Sequence, residues 1–112
     1  MLFKELMNNI RHNFMIDDEM RVKKLSKDSI AILEHIDEII QDNKIIVNES
    51  DYDVCVISFK NNQVSTIDHN FTIFTPSNKE SVINIVNLIG TQIEDLNDYM
   101  TILDKENYLI LK

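Results

Sequence analysis

The sequence predicts a single α+β domain. An antiparallel sheet of roughly four to six strands carries two long amphipathic helices on one face, with a short N-terminal helix beside them. Apolar residues recur every three or four positions in three parts of the chain, as on the buried face of a helix. Between residues 44 and 75 the apolar period changes to two and β-branched residues dominate, which is typical of strands. No repeat or linker divides residues 1–112, so we expect one domain.

The chain opens with a short amphipathic helix that ends near Asn13. Its apolar stripe consists of Leu2, Phe3, Leu6, Met7 and Ile10. The three acids at 17–19 predict another short helical turn toward Val22, because carboxylates are favoured at the positive end of a helix. A break follows at the basic cluster, which consists of Arg21, Lys23, Lys24 and Lys27.

The first of the two long helices begins at Ser26 or Asp28 and ends at about Asp42. Both candidate first residues have side-chain oxygens that can cap the free N–H groups of a helix. The predicted buried stripe consists of Ile30, Leu33, Ile36, Ile39 and Ile40. Four acids line the opposite, exposed side of this helix: Glu34, Asp37, Glu38 and Asp42.

Four short strands are predicted at 44–47, 52–60, 63–68 and 71–75. Asn61 and Asn62 tolerate the left-handed backbone conformation that a tight hairpin needs, and we expect a similar turn at 68–70. An antiparallel meander is the simplest connection of these strands. Pro76 ends the last one, because proline has no backbone N–H to donate.

The second long helix begins at a cap residue, Ser77 or Asn78, with Glu80 in its first turn. Its apolar stripe runs through Val82, Ile85, Val86, Ile89, Ile93, Leu96 and Met100. Gly90 interrupts this helix, and we expect close packing there. Two structures fit residues 100–112. A hairpin that turns at 104–107 is favoured over a helix to Leu103 followed by one strand from Asn107.

The single cysteine and a nearby histidine are the first candidates for catalysis. Cys55 alternates with Ile57 and Phe59 on one strand face, and burial among apolar groups makes a thiol a poor nucleophile. His69 falls in a predicted turn, without a recognisable catalytic partner. We therefore predict no catalytic residue. A small enzyme that uses Cys55 or a pair of carboxylates is the least favoured class.

No metal or cofactor site is predicted either. Glu49, Asp51 and Asp53 alternate along one strand face, and hard cations accept such oxygen ligands. However, this segment lacks the glycine and the final glutamate of an EF-hand loop, and the three histidines lack zinc spacing. One glycine in the whole chain excludes a glycine-rich phosphate loop.

Composition indicates the cellular setting and the kind of partner. Nineteen acids against eleven bases give a net charge of −8, which repels nucleic-acid phosphates and anionic lipids, so we expect neither as a direct partner. The chain has no apolar run of membrane length and no secretion-signal pattern, and its lone cysteine suits a reducing compartment. We expect a cytoplasmic protein.

The acids concentrate in two tracts, which predict a small non-enzymatic inhibitor or immunity-type protein of phage or bacterial origin. Its acidic surface would occupy a basic site on a partner protein, for example a nucleic-acid-binding protein. The predicted partner-binding residues are Glu34, Asp37, Glu38, Asp42, Glu94, Asp95 and Asp98. The alternative is an accessory or chaperone-like homodimeric subunit that binds a partner through apolar surface. The apolar residues that make a homodimer credible are Val54, Val56, Phe71 and Ile73, on the sheet face away from the helices.

Overall fold

The computed structural model describes residues 1–16, 19–35, 38–42, 44–47, 51–69, 78–106 and 108–111. Within this part of the chain, helices and strands follow one another in this order: α1 (Phe3–Asn13), β1 (Met20–Ser26), β2 (Ser29–His35), β3 (Glu38–Gln41), β4 (Lys44–Val47), β5 (Asp51–Lys60), β6 (Gln63–His69), α2 (Lys79–Asn87), α3 (Leu96–Lys105) and β7 (Leu109–Leu111).

Five of these strands form one antiparallel sheet with the order β6-β5-β2-β1-β7. Strands β3 and β4 form a separate two-stranded sheet and pair only with each other among the described strands. This architecture confirms the predicted α+β class and its antiparallel sheet. The long helices are not found, since α1, α2 and α3 contain 11, 9 and 10 residues.

The core lies between the helices and one face of the five-stranded sheet. Met20 and Val22 of β1, and Ile30 and Ile32 of β2, alternate with residues on the other face and are at most 1% exposed. Helix α1 buries its predicted stripe except Leu2, which is 45% exposed. The core members from the rest of the chain are Phe14, Ile16, Val54, Cys55, Ile57, Phe59, Val64, Ile85, Leu88, Ile93, Leu96, Met100 and Leu103.

The helix predicted between residues 28 and 42 is wrong. The described part of this segment forms β2, β3 and a turn at Asp42. Four successive residues from Ile30 to Leu33 are buried, as in a central strand that is covered on both faces and unlike a helix buried on one side. The isoleucine spacing fits either period, and the β-branched side chains favour the strand.

The basic cluster begins in a strand and is not a break between helices. β1 pairs with β2 on one side and with β7 on the other, and Val22 lies opposite both Ile32 and Leu109. The predicted helical turn toward Val22 is therefore wrong for residues 20–22, while residues 17–18 lie outside the described part. Pairing with distant strands decides the conformation here, and local sequence does not reveal such pairing.

The prediction of one long C-terminal helix is also wrong, because α2 and α3 are separate helices. Asn78 caps α2 as predicted, and its side chain accepts a hydrogen bond from the backbone N–H of Ser81. Gly90 then adopts a φ of 87°, a left-handed conformation that ends the helical backbone. The N–H of Gly90 donates to Val64 at 2.7 Å and the N–H of Val64 donates to Thr91 at 2.9 Å, which holds this loop against β6. Three members of the predicted buried stripe are exposed: Val82, Val86 and Ile89.

At the C-terminal end the favoured prediction of a hairpin is wrong. The alternative, a helix followed by one strand, is found, because α3 continues to Lys105 and β7 follows. The predicted strands at 44–47, 52–60 and 63–68 match β4, β5 and β6. Asn61 and Asn62 turn between β5 and β6 with φ values of 54° and 61°, as predicted. β6 reaches His69, so the turn predicted at 68–70 is wrong for residues 68–69, and residue 70 lies outside the described part. The predicted strand at 71–75, with Pro76, lies outside the described residues.

Candidate functional site

The first acidic tract does not lie on one helical surface. Glu34 is half-buried in β2, Glu38 begins β3, and Asp42 is exposed in the turn between β3 and β4. Asp37 lies outside the described residues. Because the predicted helix is absent, these acids have no common helix face to present to a partner.

The second acidic tract combines a structural carboxylate with exposed ones. Asp95 is half-buried, and its Oδ1 accepts a hydrogen bond of 2.7 Å from the backbone N–H of Phe3. Glu94 is exposed, with a carboxylate oxygen 3.7 Å from the N-terminal ammonium group of Met1. Asp98 is exposed in the first turn of α3. Glu94 and Asp98 are therefore accessible to a partner, whereas Asp95 holds the start of α1 against the start of α3.

Cys55 and His69 lie opposite each other on β5 and β6, which the sequence did not indicate. Burial raises the pKa of the Cys55 thiol to about 12, so the thiol stays protonated at neutral pH. Burial lowers the pKa of His69, against the opposing effect of Asp68, and the His69 ring meets the Phe14 ring edge-on at 5.2 Å. This pair lacks the thiolate that nucleophilic catalysis needs. The predicted packing of Cys55 in the core is confirmed.

Two grooves flank α1, and Arg11 lines both. One, of about 720 Å³, lies between α1 and the start of α2, and the other, of about 640 Å³, lies between α1 and β7. The Arg11 guanidinium donates hydrogen bonds to the carbonyl oxygens of Ile16 at 3.4 Å and Leu111 at 2.8 Å. Asn84 in the first groove donates to Asn13, whose side chain is buried. These polar groups hold α1 to its neighbours, which is a packing role.

The basic cluster divides between the two faces of the sheet. The Lys24 ammonium group lies 2.6 Å from the Asp104 carboxylate of α3, on the helix side. On the other side, the Tyr108 ring lies 5.7 Å from the Arg21 guanidinium carbon and 6.0 Å from the Lys23 ammonium group. Such contacts are favourable cation–π interactions. Tyr108 reaches this cluster only through the pairing of β1 with β7, because it is more than 80 residues away in the sequence.

Apolar side chains are exposed along the outer side of α2. We call this surface the outer α2 face; it consists of Val82, Ile83 and Val86 of α2 and Ile89 of the turn after it, which are 45%, 53%, 62% and 45% exposed. They lie away from the side of α2 that carries Ser81 and Ile85, which are buried. A helix that is apolar on both sides is typical of one that is covered on both sides. Apolar residues in 82–89 cover more of the helix circumference than one buried stripe does. This breadth is the sequence signal for an exposed apolar face.

Strands β3 and β4 form a hairpin that, among the described strands, is separate from the five-stranded sheet. Its backbone register places Ile39 opposite Ile46 and Ile40 opposite Ile45. A two-stranded hairpin is at best marginally stable alone in water.

The predicted homodimer face on the five-stranded sheet is only partly accessible. Val54 is fully buried in the core, because β5 has an irregular register opposite Ile32 and Leu33 that places Val54 and Cys55 together in the core. Val56 is half-buried, and residues 71 and 73 lie outside the described part. The outer α2 face is therefore the better candidate for an apolar contact.

Comparison with known protein families, curated proteins and solved structures finds no match to this chain. Among the described residues, no helix combines the length and the apolar character needed to cross a membrane. In the same part of the chain, no three His, Cys, Asp or Glu residues come together as a metal site requires, and Glu49 lies outside that part.

Proposed function

We propose that this chain is a non-enzymatic interaction subunit that associates with a second copy of itself through the outer α2 face. The observation that carries this proposal is the 45% to 62% exposure of three aliphatic side chains of α2 and one in the turn after it, while the other side of α2 is already in the core. Covering apolar surface is worth about 25 cal/mol per Å², so a partner that buries this face lowers the free energy.

The distribution of charge favours the outer α2 face over acidic surface as the place where two copies meet. Each copy has a net charge of −8, so a self-contact through acidic surface would be repulsive. The outer α2 face contains no acid. The charged residues of α2 are Lys79 and Glu80, both in its first turn, and Glu80 faces the groove beside α1. A two-fold dimer, the commonest form of homo-oligomer, is therefore the arrangement that fits.

Sedimentation equilibrium with Val86→Asp tests the proposal. Val86 is the most exposed member of the outer α2 face, so a new carboxylate there should leave the fold intact and oppose the contact. We expect a wild-type dimer and a variant whose dimer Kd is raised by about tenfold or more, equivalent to about 1.4 kcal/mol.

Ile102→Asp is the matched control, because Ile102 is 40% exposed on α3 and lies outside the outer α2 face. This control should dimerise like the wild type, and circular dichroism should show that both variants are folded. A wild-type chain that stays monomeric at millimolar concentration would contradict the proposal. So would equal Kd values for the two variants.

An acidic inhibitor of a basic partner protein is the second candidate function. Glu94 and Asp98 favour it, since both are exposed around the start of α3 and neither belongs to the outer α2 face. Changing them to Gln and Asn should slow association with a basic partner and flatten its salt dependence. Self-association should not change. If neither the association rate nor its salt dependence responds, the acidic surface serves solubility alone.

A further inference from the structure

We propose that the groove between α1 and the start of α2 binds the N-terminal end of a peptide chain. This groove, which we call the α1–α2 groove, has a volume of about 720 Å³. Pockets of roughly 300 to 1,000 Å³ are typical of sites for small ligands. The site uses residues outside the outer α2 face, so the proposal goes beyond self-association and does not depend on it.

Polar side chains with open hydrogen-bonding capacity line the α1–α2 groove. The Asn8 amide and the His12 imidazole, both exposed on α1, make no side-chain hydrogen bond in the part of the chain that the structure describes. The Asn78 and Asn84 side chains of α2 and its cap each use one hydrogen-bonding atom inside the protein and keep the other. An amide side chain both donates and accepts, as each peptide group does. The asparagines therefore match the backbone of a peptide.

The buried polar residues of the described chain are concentrated at this groove. Asn13 and Ser81 are 1% and 5% exposed, and no other described polar or charged residue is buried. Ser81 lines the groove. The Asn13 side chain accepts a hydrogen bond of 3.2 Å from Asn84 and donates one of 2.8 Å to the Asn9 carbonyl. Such a buried network holds the Asn84 amide in one orientation before a ligand arrives, as a binding site requires.

Met15 lies at the groove in a backbone conformation that favours glycine. Its φ is 52°, at the C-terminal end of α1, where the Ile16 N–H donates back to the Arg11 carbonyl at 3.0 Å. A methionine is strained there, and it gains little from burial because it is 66% exposed. Strained residues cluster at ligand sites. The exposed Met15 side chain is therefore suited to contact an apolar side chain of the peptide.

Charge selects the N-terminal end of the peptide. The Glu80 carboxylate lines the groove from α2, is exposed and forms no ion pair within the described residues. The net charge of −8 also attracts a cationic group and repels a phosphate. Arg11 and His12 line the α1 wall, which favours the carbonyl oxygens of the ligand there. The peptide ammonium group therefore lies toward Glu80.

A titration with two tripeptides, followed by amide NMR chemical shifts, tests the site. The probes are Gly-Leu-Gly amide, which has a free ammonium group, and its N-acetyl derivative, which has none. We expect the first probe to shift the signals of the groove residues with a Kd of about 1 mM or below. The acetylated probe should bind at least about fivefold more weakly. Equal Kd values, or no saturable shift at the groove up to about 10 mM, would overturn the proposal.

Glu80→Gln tests the recognition of the ammonium group. Because Glu80 is exposed, we expect the fold to stay intact while the Kd of the free-amine probe rises at least about fivefold. The Kd of the acetylated probe should change less than about twofold. Glu106→Gln, which removes one exposed charge at the end of α3, is the matched control and should leave both Kd values within about twofold. The same effect from both substitutions would mean that net charge alone attracts the probe, which contradicts the site.

Met15→Gly separates a ligand contact from a structural role. Glycine relieves the left-handed strain, so urea denaturation should find this variant at least as stable as the wild type. Its affinity for Gly-Leu-Gly amide should nevertheless fall at least about threefold, to that of triglycine amide, which lacks the apolar side chain. Wild-type affinity in this variant would contradict the placement of the peptide in the groove.

Two sources of a free N-terminus are distinguished by a third probe, the sequence Gly-Leu-Gly at the N-terminus of a folded carrier protein. Binding of the carrier with the Kd of the tripeptide amide assigns the site to protein N-termini, and binding of the tripeptide alone assigns it to short peptides. Both results support the groove. A wild-type chain that is monomeric would contradict the proposed self-association and leave the peptide titration unchanged.

Discussion

The Cys55 thiol couples the stability of the fold to pH. In the unfolded chain the thiol has a pKa near 9.0, whereas burial raises the pKa to about 12 in the folded chain. Below about pH 9 both states hold the proton and the thiol adds no pH dependence. Between about pH 9 and 12 the unfolded state loses a proton that the folded state keeps, so stability falls as pH rises.

We predict that the free energy of unfolding falls by up to about 1.4 kcal/mol per pH unit in that window because of Cys55 alone. Urea unfolding of wild type and Cys55→Ala at several pH values measures this difference, since the other titrating groups are common to both chains. Parallel pH profiles would show that the thiol is not buried. Fast labelling of the native protein by a thiol reagent at neutral pH would show the same.

Asp95 has a structural role, which distinguishes it from the other acids of its tract. Asp95→Ala removes the acceptor of the Phe3 N–H, and we expect a loss of about 1 to 3 kcal/mol in the free energy of unfolding. Asp98→Ala should change it by no more than about 0.5 kcal/mol, because Asp98 is exposed. Thermal or urea denaturation compares the two. Similar small losses in both would mean that the Asp95 carboxylate does not hold α1.

At the scale of elements, the loop between α2 and α3 gives different burial to two isoleucines. One continuous helix would bury both of them. Ile93 is fully buried, whereas Ile89 is 45% exposed. Ile93→Ala should lower the free energy of unfolding by about 2 to 5 kcal/mol, because it leaves a cavity. Ile89→Ala should lower it by less than about 1 kcal/mol. Equal losses, measured by urea denaturation, would contradict the break between the helices.

Gly90 makes a further prediction about this loop. An added Cβ would meet no atom within 4 Å, so only the backbone conformation at φ 87° opposes a side chain. Gly90→Ala should lower the free energy of unfolding by about 1 to 2 kcal/mol. Gly90→Asn should lower it less, because asparagine tolerates the left-handed region. The reverse order in a urea titration would mean that crowding and not φ controls this position.

Elements fixed by nearby residues were predictable from sequence, and those fixed by distant strands were not. The α1 stripe, the Asn61–Asn62 turn and the Asn78 cap each depend on a few adjacent residues. β1 and β2 depend on partners elsewhere in the chain, so their isoleucines and lysines were assigned to helices or a break. For the candidate site as well, only features that depend on nearby residues were predictable. The acids were identifiable, but the contact of Asp95 with Phe3 and the exposure of α2 arise only in the folded chain.

At the scale of the whole molecule, charge opposes the proposed dimer and apolar contact favours it. Each copy carries a net charge of −8, so repulsion between copies should decrease as salt screens it. We predict that raising NaCl from about 50 to 500 mM tightens the dimer, and that sulfate tightens it more by strengthening apolar burial. Sedimentation equilibrium across the salt series measures the Kd. A dimer that weakens with salt would show that ion pairs hold it.

The position of β7 has a consequence for how the chain folds during its synthesis. β1 and β2 can pair soon after they leave the ribosome, but the other edge of β1 has to wait for β7. The hydrogen bond that the Arg11 guanidinium donates to the Leu111 carbonyl, 100 residues away, also cannot form before β7 is synthesised. Until those residues are made, one edge of β1 is unpaired and can pair with other chains. Expression at low temperature or with chaperones should therefore raise the yield of folded protein more than any change in purification.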